Sequence, residues 1–115
     1  MPYINFNKIP HLKIWEGIHG ALHHTDEVTF GHIILEQGAV VPEHHHIHQQ
    51  WTHVLDGELE FTLDGETRIL TSGMSAYMPS DIPHAARAIT RVKLMDCFIP
   101  VREDFLSLEP WNENN

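Results

Sequence analysis

Residues 58–63 read Glu-Leu-Glu-Phe-Thr-Leu, an unbroken polar–apolar alternation held between two Asp-Gly pairs, Asp56-Gly57 and Asp64-Gly65. Successive side chains of a strand point to opposite faces, so Leu59, Phe61 and Leu63 share one face and Glu58, Glu60 and Thr62 a solvated one. Asp-Gly between alternating runs is the strongest short-range signal for a hairpin, because tight turns need positive φ. The rest of the chain keeps this period. Val28 to Leu35 stops at Gln37-Gly38, Trp51 to Leu55 runs into Asp56-Gly57, and Thr67 to Leu70 pairs back across Asp64-Gly65. After Ser72-Gly73 come an apolar run from Met74 to Met78, a proline-rich turn from Pro79 to Pro83, a short run from His84 to Ile89 and a long strand from Val92 to Ile99. No helical i, i+3, i+4 spacing persists beyond two turns; Phe105 to Leu108 is expected as a short terminal piece and Trp111 to Asn115 as a tail. Many short strands punctuated by Gly and Pro predict an all-β, antiparallel sandwich or barrel.

A chain of 115 residues has material for one hydrophobic core and not for two, so a single domain is expected over residues 1–115. It divides into N-terminal strands (1–37), a central block (38–90) and a final strand with its tail (91–115). Seven basic residues against 16 acidic ones leave a formal charge of −9. Nucleic acid needs clustered Lys and Arg, and an anionic membrane surface repels such a chain, so neither partner is expected. No stretch approaches the ~20 apolar residues of a membrane-spanning helix. The first fifteen residues carry no signal-peptide core, and Cys97 is the only cysteine, so no intrachain disulfide forms. A cytoplasmic protein is expected.

Histidine is the unusual component, with 11 in the chain and five of them between residues 44 and 53. In an extended segment His44 and His46 point the same way, the parity continues through Gln50, and His84 arrives from a distant strand after Pro83. His-x-His on one strand face, with an imidazole from elsewhere and an oxygen donor, suits one first-row divalent ion: Zn, Ni, Mn and Fe all accept this set. The plainer reading is a surface histidine tract with low metal specificity. His11, His19, His23 and His24 are read as surface or internally satisfied residues.

A second constellation lies on the last long strand. Asp96 and Phe98 share a face, and Arg102 follows just beyond Pro100. A carboxylate inside an apolar strand needs an explanation, since burying an unpaired charge is unfavourable. One is an Asp96–Arg102 ion pair that holds the C-terminus, or an Asp96 that faces outward. The other places Asp96, Phe98 and Arg102 at the mouth of the barrel. There an arginine fork captures a carboxylate, a phenyl ring walls a sugar face and a carboxylate moves protons. Cys97 then faces away, which argues against a thiol nucleophile.

The spacing of these residues resembles the cupin superfamily. Gly38, five residues, His44-x-His46, three residues, Gln50, six residues and Gly57 reproduce its first motif; Gly73, five residues, Pro79-x-Asp81, two residues and His84 reproduce its second. Departures are Gln50 for the usual Glu, Asp81 for Gly and Ala88 for Asn. The resemblance implies a small antiparallel double-stranded β-helix, or jelly-roll barrel, with His44, His46, Gln50 and His84 on a metal inside its wider end. A neutral amide in place of Glu leaves the ion one unit more positive. One unit of charge about 4 Å from a bound carboxylate is worth roughly 4 kcal/mol at an effective dielectric of 20, before solvent and lost ion–ligand attraction reduce it. The sign favours an anionic ligand, with weaker metal retention.

The run from Asp96 to Leu106, the His-x-His plus Gln set and Trp15-Glu16 resemble the KdgF group of small cupins, associated with pectin and alginate breakdown. That resemblance implies conversion of 4,5-unsaturated monouronates to linear ketonised forms, so the partner is a small anionic sugar acid. It implies Asp96 as general acid/base, Arg102 as carboxylate clamp, Phe98 as packing wall, and a homodimer. Trp51, Trp111, Tyr3, Ile4 and Phe6 are the apolar candidates for an interface. The competing readings are an Fe(II) dioxygenase or isomerase, a barrel that binds a sugar acid without turnover, and a purely structural barrel with vestigial histidines. His48 and His53 are left out of the metal shell because a turn near Gln49 interrupts the strand parity.

Overall fold

Strands form wherever the alternating pattern runs without interruption, and most of them break at glycine or proline. The computed structural model describes residues 2–112 and holds ten strands. They are β1 (Leu12–Trp15), β2 (Ile18–His24), β3 (Thr29–Leu35), β4 (Val40–His44), β5 (Gln49–Asp56), β6 (Leu59–Leu63), β7 (Glu66–Leu70), β8 (Ser75–Met78), β9 (His84–Ala88) and β10 (Val92–Ile99). Seven of these lie where the alternation places them. β1, β2 and β4 carry weak signals: β2 reads Ile-His-Gly-Ala-Leu-His-His, poor in β-branched residues, and β4 contains Pro42 and Glu43. The terminal piece is a 3-10 helix at Glu103–Ser107 that buries Phe105. Residues 113–115 of the expected tail lie outside the described residues.

The strands make two antiparallel sheets, six-stranded in the order β1-β2-β3-β10-β5-β8 and four-stranded in the order β4-β9-β6-β7. Their inner faces enclose one core, with Ile18, Leu22, Ile33, Leu35, Val54 and Leu94 from the larger sheet and Leu59, Phe61, Leu70, Ala86 and Ala88 from the smaller. The alternation at residues 58–63 is realised: Leu59 and Phe61 are buried, while Glu60 reaches Arg87 at 3.3 Å on the solvent side. This is the single-domain, antiparallel jelly roll that the spacing resembles. Among the described residues no helix is long and apolar enough to cross a membrane.

Two features of the topology build a site. The chain crosses from the small sheet to the large one at residues 45–48, between β4 and β5. The ladders then set His84 opposite His44, Thr52 opposite Asp96 and Gln50 opposite Phe98.

Candidate metal centre and active site

His44 closes β4 and His84 opens β9. Between Val41 and His44, β4 advances three residues while β9 advances two, from Ala86 to His84, so one extra residue is bulged out at Pro42-Glu43. A straight strand puts Val41 and His44 on opposite faces; the bulge turns both towards the same pocket. His46 follows in the crossing segment. One ring nitrogen from each of His44, His46 and His84 lies within 4.8 Å of the other two.

The hydrogen bonds behind the rings decide the tautomer each neutral ring adopts. Nδ1 of His44, His46 and His84 lies 2.9, 3.0 and 2.8 Å from the carbonyl oxygens of Pro42, His48 and Ile82. A carbonyl only accepts, so each Nδ1 carries the proton and each Nε2 keeps its lone pair. His84 Nε2 is buried with no hydrogen-bond partner among the described residues. Gln50 Oε1 lies 3.0 Å from His46 Nε2, so with Nδ1 protonated two lone pairs face each other there. A cation between them resolves both the orphaned nitrogen and the opposed lone pairs. Burial lowers His84 to about 4, against ordinary 6.5, and lowers His46, with Arg102 adding to the latter, so both rings stay neutral donors near pH 7. Three imidazole nitrogens and an amide oxygen fit one divalent transition ion.

Gln50 does not reach this point along the strand that carries His44, as simple parity expects. It enters from β5, in the opposite sheet, and its other end is tied to the second constellation. Gln50 Nε2 donates to Thr52 Oγ1 at 2.9 Å and to Asp96 Oδ1 at 3.4 Å, and Thr52 Oγ1 donates to Asp96 Oδ1 at 2.6 Å. Burial pushes the Asp96 carboxyl up to about 6, against the pull of the Thr52 and Gln50 hydrogen bonds and the Arg102 charge.

Arg102 is buried. Its backbone N–H donates to Thr29 Oγ1 at 2.8 Å, and its Nε and Nη2 donate to Asp104 at 3.0 and 2.8 Å. The guanidinium carbon sits 4.7 Å from the Phe98 ring centroid and 3.9 Å from that of Phe105. The carboxylate partner of Arg102 is therefore Asp104, and Asp96 faces the pocket instead of solvent. Phe98 packs beneath Arg102 and also borders the pocket, which encloses about 560 Å³ including its open mouth. Hydrophobic side chains such as Ile33, Leu35 and Phe61 form one part of the lining; His44, His84, Gln50, Thr52, Asp96 and Arg102 form the other.

The family model described as "Cupin domain" matches residues 31–98, more than half of the chain and every one of these residues except Arg102. The chain belongs to the cupin family. A pectin degradation protein, KdgF from Dickeya dadantii, is 31% identical over 84 residues, covering 71% of this cupin and 76% of that protein. The solved structure of KdgF from Halomonas sp. superposes with a TM-score of 0.85 at 27% identity, covering 91% of this chain and 98% of that one. A 46-residue stretch is 50% identical to quercetin 2,3-dioxygenase from Bacillus subtilis; it spans 36% of this cupin and 13% of that enzyme.

The meeting of His44, His46, Gln50 and His84 and the Asp96, Phe98 and Arg102 group were legible as spacings, whereas most of their supports were not. Thr52 has the parity of Gln50 and was the one support that strand alternation exposes. Trp15, edge-on to His44 at 5.2 Å, and Asp104, on the Arg102 fork, lie in segments that carry the KdgF-group resemblance, but strand parity gives neither of them a role. His53 hydrogen-bonds Ser75 at 2.7 Å and is not part of the pocket lining, and His48 packs edge-on to His46 at 5.3 Å. Asp81, where the motif has Gly, adopts φ +64, a left-handed conformation that Asp tolerates better than most residues. Cys97 lies opposite Phe30 and Trp51 in the ladders, on the outer face and away from Asp96.

Proposed function

We propose that this cupin is a metal-dependent enzyme that converts 4,5-unsaturated monouronates to their linear, ketonised forms. The observation that carries the reading is the hydrogen-bonded tie between an amide at the histidine cluster and a buried carboxyl, Asp96, inside one pocket that also borders Arg102. The likeness to two proteins named KdgF supports it. In the conversion the C1 hydroxyl loses its proton as the C1–ring oxygen bond breaks. This leaves an aldehyde at C1 and an enol at C5. A proton added at C4 and one lost from the enol oxygen complete an isomerisation with no change of oxidation state.

His44, His46, Gln50 and His84 would hold the metal, which supplies Lewis acidity towards a substrate oxygen when bound. Asp96 exchanges protons with the substrate: a carboxyl held at about 6 is populated in both forms near neutrality, as a general acid/base must be. Arg102, fixed on one edge by Asp104, offers its remaining N–H groups to the uronate carboxylate. Phe98 holds Arg102 in place and closes the pocket wall, excluding water from the charged contacts.

The test is direct. Metal-analysed protein is incubated with unsaturated galacturonate and with its alginate-derived counterpart, and loss of the conjugated double-bond absorbance is followed. Turnover that disappears with a chelator and returns with metal is expected; no acceleration over the spontaneous reaction sinks the proposal. The local identity to a dioxygenase motivates one control, oxygen consumption by the iron-loaded protein. None is expected, since Gln50 brings no anion to the ligand set. The homodimer belongs to the same proposal. Trp51 and Tyr77, exposed and 5.6 Å apart on the outer face of the six-stranded sheet, are its candidate contacts, whereas Trp111 stacks on His19 and Phe6 on His32. A cytoplasmic setting suits the lone thiol of Cys97.

A further inference from the structure

We propose that Thr52 is the positioning residue of this site: its hydroxyl joins Gln50 to Asp96 and decides both which atom of the amide faces the histidines and which oxygen of the carboxyl faces the pocket. The proposal deepens the functional reading above, but only its kinetic arm depends on that reading.

Thr52 is almost completely buried in the middle of β5, between Ala76 on β8 and Asp96 on β10. Its hydroxyl has one proton to give. The Gln50 amide nitrogen only donates, so at 2.9 Å the hydroxyl accepts from it, and the hydroxyl proton goes to Asp96 Oδ1 at 2.6 Å. The chain therefore has a direction, from amide to hydroxyl to carboxylate. Reversing the amide would turn Gln50 Oε1 towards Thr52 and Asp96 Oδ1, lone pair against carboxylate, and would point an N–H at His46 Nε2. That N–H would then occupy the lone pair His46 needs for a metal. Thr52 holds the amide in the other orientation, with Oε1 3.0 Å from His46 Nε2. The same hydroxyl, with the longer Gln50 contact, loads both hydrogen bonds onto Oδ1 of Asp96. Oδ2 carries neither bond and is left for the substrate.

Thr52→Val keeps the branched shape and removes the hydroxyl; Thr52→Ser keeps the hydroxyl and removes the methyl. Each is loaded with Co(II), and the visible spectrum is compared with those of the wild type and Gln50→Ala. The valine variant is expected to move from the wild-type spectrum towards that of Gln50→Ala, and the serine variant to match the wild type. On an unsaturated uronate the valine variant is expected to lose roughly 10- to 100-fold in kcat, the usual effect of removing a partner of a metal ligand, while Ser restores it. KM is expected to stay within about threefold, since no substrate-binding group is removed. Thr52→Ala is carried in parallel, with the same expectation, so that a folding failure of one variant does not end the test. A wild-type cobalt spectrum in the hydroxyl-free variants overturns the proposal, as does a serine variant impaired as deeply as the valine one. If the wild-type protein turns over no uronate, the functional reading falls, and the cobalt spectra still decide the role of Thr52.

Discussion

Asp96 is ionised against its surroundings. Removed from water in the pocket wall, its carboxyl is held at about 6 instead of the ordinary 3.8, a difference equivalent to roughly 3 kcal/mol. Because the folded value is raised, stability is full below about pH 4 and is lost as the pH climbs to about 6. In metal-free protein Asp96→Asn is therefore expected to match the wild type at acid pH and to be more stable by up to about 3 kcal/mol at pH 7, the gap opening between those limits. Urea unfolding of both forms across the range measures it; a gap independent of pH contradicts the burial argument. The same variant should have no measurable turnover. Asp104 acts one bond further out, because its carboxylate holds the Nε and Nη2 edge of Arg102. Asp104→Asn is expected to raise KM by roughly tenfold, about the worth of one charge-assisted hydrogen bond, with kcat little changed. A fall in KM would instead identify Asp104 as a competitor for the fork.

At the scale of elements, the two Asp-Gly turns have unequal demands that the sequence does not distinguish: Asp64-Gly65 closes the β6–β7 hairpin, whereas Asp56-Gly57, expected as a hairpin too, carries the chain from one sheet to the other. Asp56-Gly57 and Asp64-Gly65 look alike as dipeptides, and both glycines have positive φ, +96 and +84. A Cβ on Gly57 would clash with the Arg91 carbonyl oxygen, whereas one on Gly65 meets nothing within 4 Å. Gly65→Ala should cost about 1 kcal/mol, the left-handed backbone alone, and Gly57→Ala at least about 2 kcal/mol more, because the Arg91–Val92 backbone that starts β10 must shift. Thermal unfolding of the two variants checks the ranking, and equal losses would remove the packing argument. The bulge in β4 is a comparable case. Alternation finds His44 and His46, but only the extra residue at Pro42-Glu43 turns His44 to the same side as Val41. Local pattern cannot report a bulge, since a bulge exists only relative to the strand it pairs with.

Across the whole molecule, the histidines and the glutamine come from different sheets. His44 and His84 belong to the four-stranded sheet and Gln50 to the six-stranded one. An ion held by both would link the two halves of the jelly roll and would stabilise the folded state by mass action, by about 2.7 kcal/mol at a free concentration one hundred times the dissociation constant. Chelation is expected to lower the unfolding temperature, readdition to restore it, and Gln50→Ala to shrink the metal-dependent gain while also lowering the metal-free midpoint, since its hydrogen bonds to Thr52 and Asp96 are lost. A metal-dependent gain unaffected by Gln50→Ala would show that the ion rests on the small sheet alone.

The alternation of residues 58–63 and the Asp-Gly turns were sufficient by themselves for an antiparallel sandwich or barrel, because strand period and turn chemistry are local properties of the chain; the jelly roll followed from the resemblance of the His44, His46, Gln50 and His84 spacing to the cupin superfamily. Which ring nitrogens are free, which end of Gln50 faces them and which carboxylate holds Arg102 were decided only by the folded geometry, although the partners lie two residues away in sequence. Those choices are made by backbone carbonyls at Pro42, His48 and Ile82, by Thr52, two residues along β5 from Gln50 and across the ladder from Asp96, and by Asp104 in the 3-10 helix beyond β10. Hydrogen bonds of this kind depend on separations of a few tenths of an ångström, which packing sets and residue order does not.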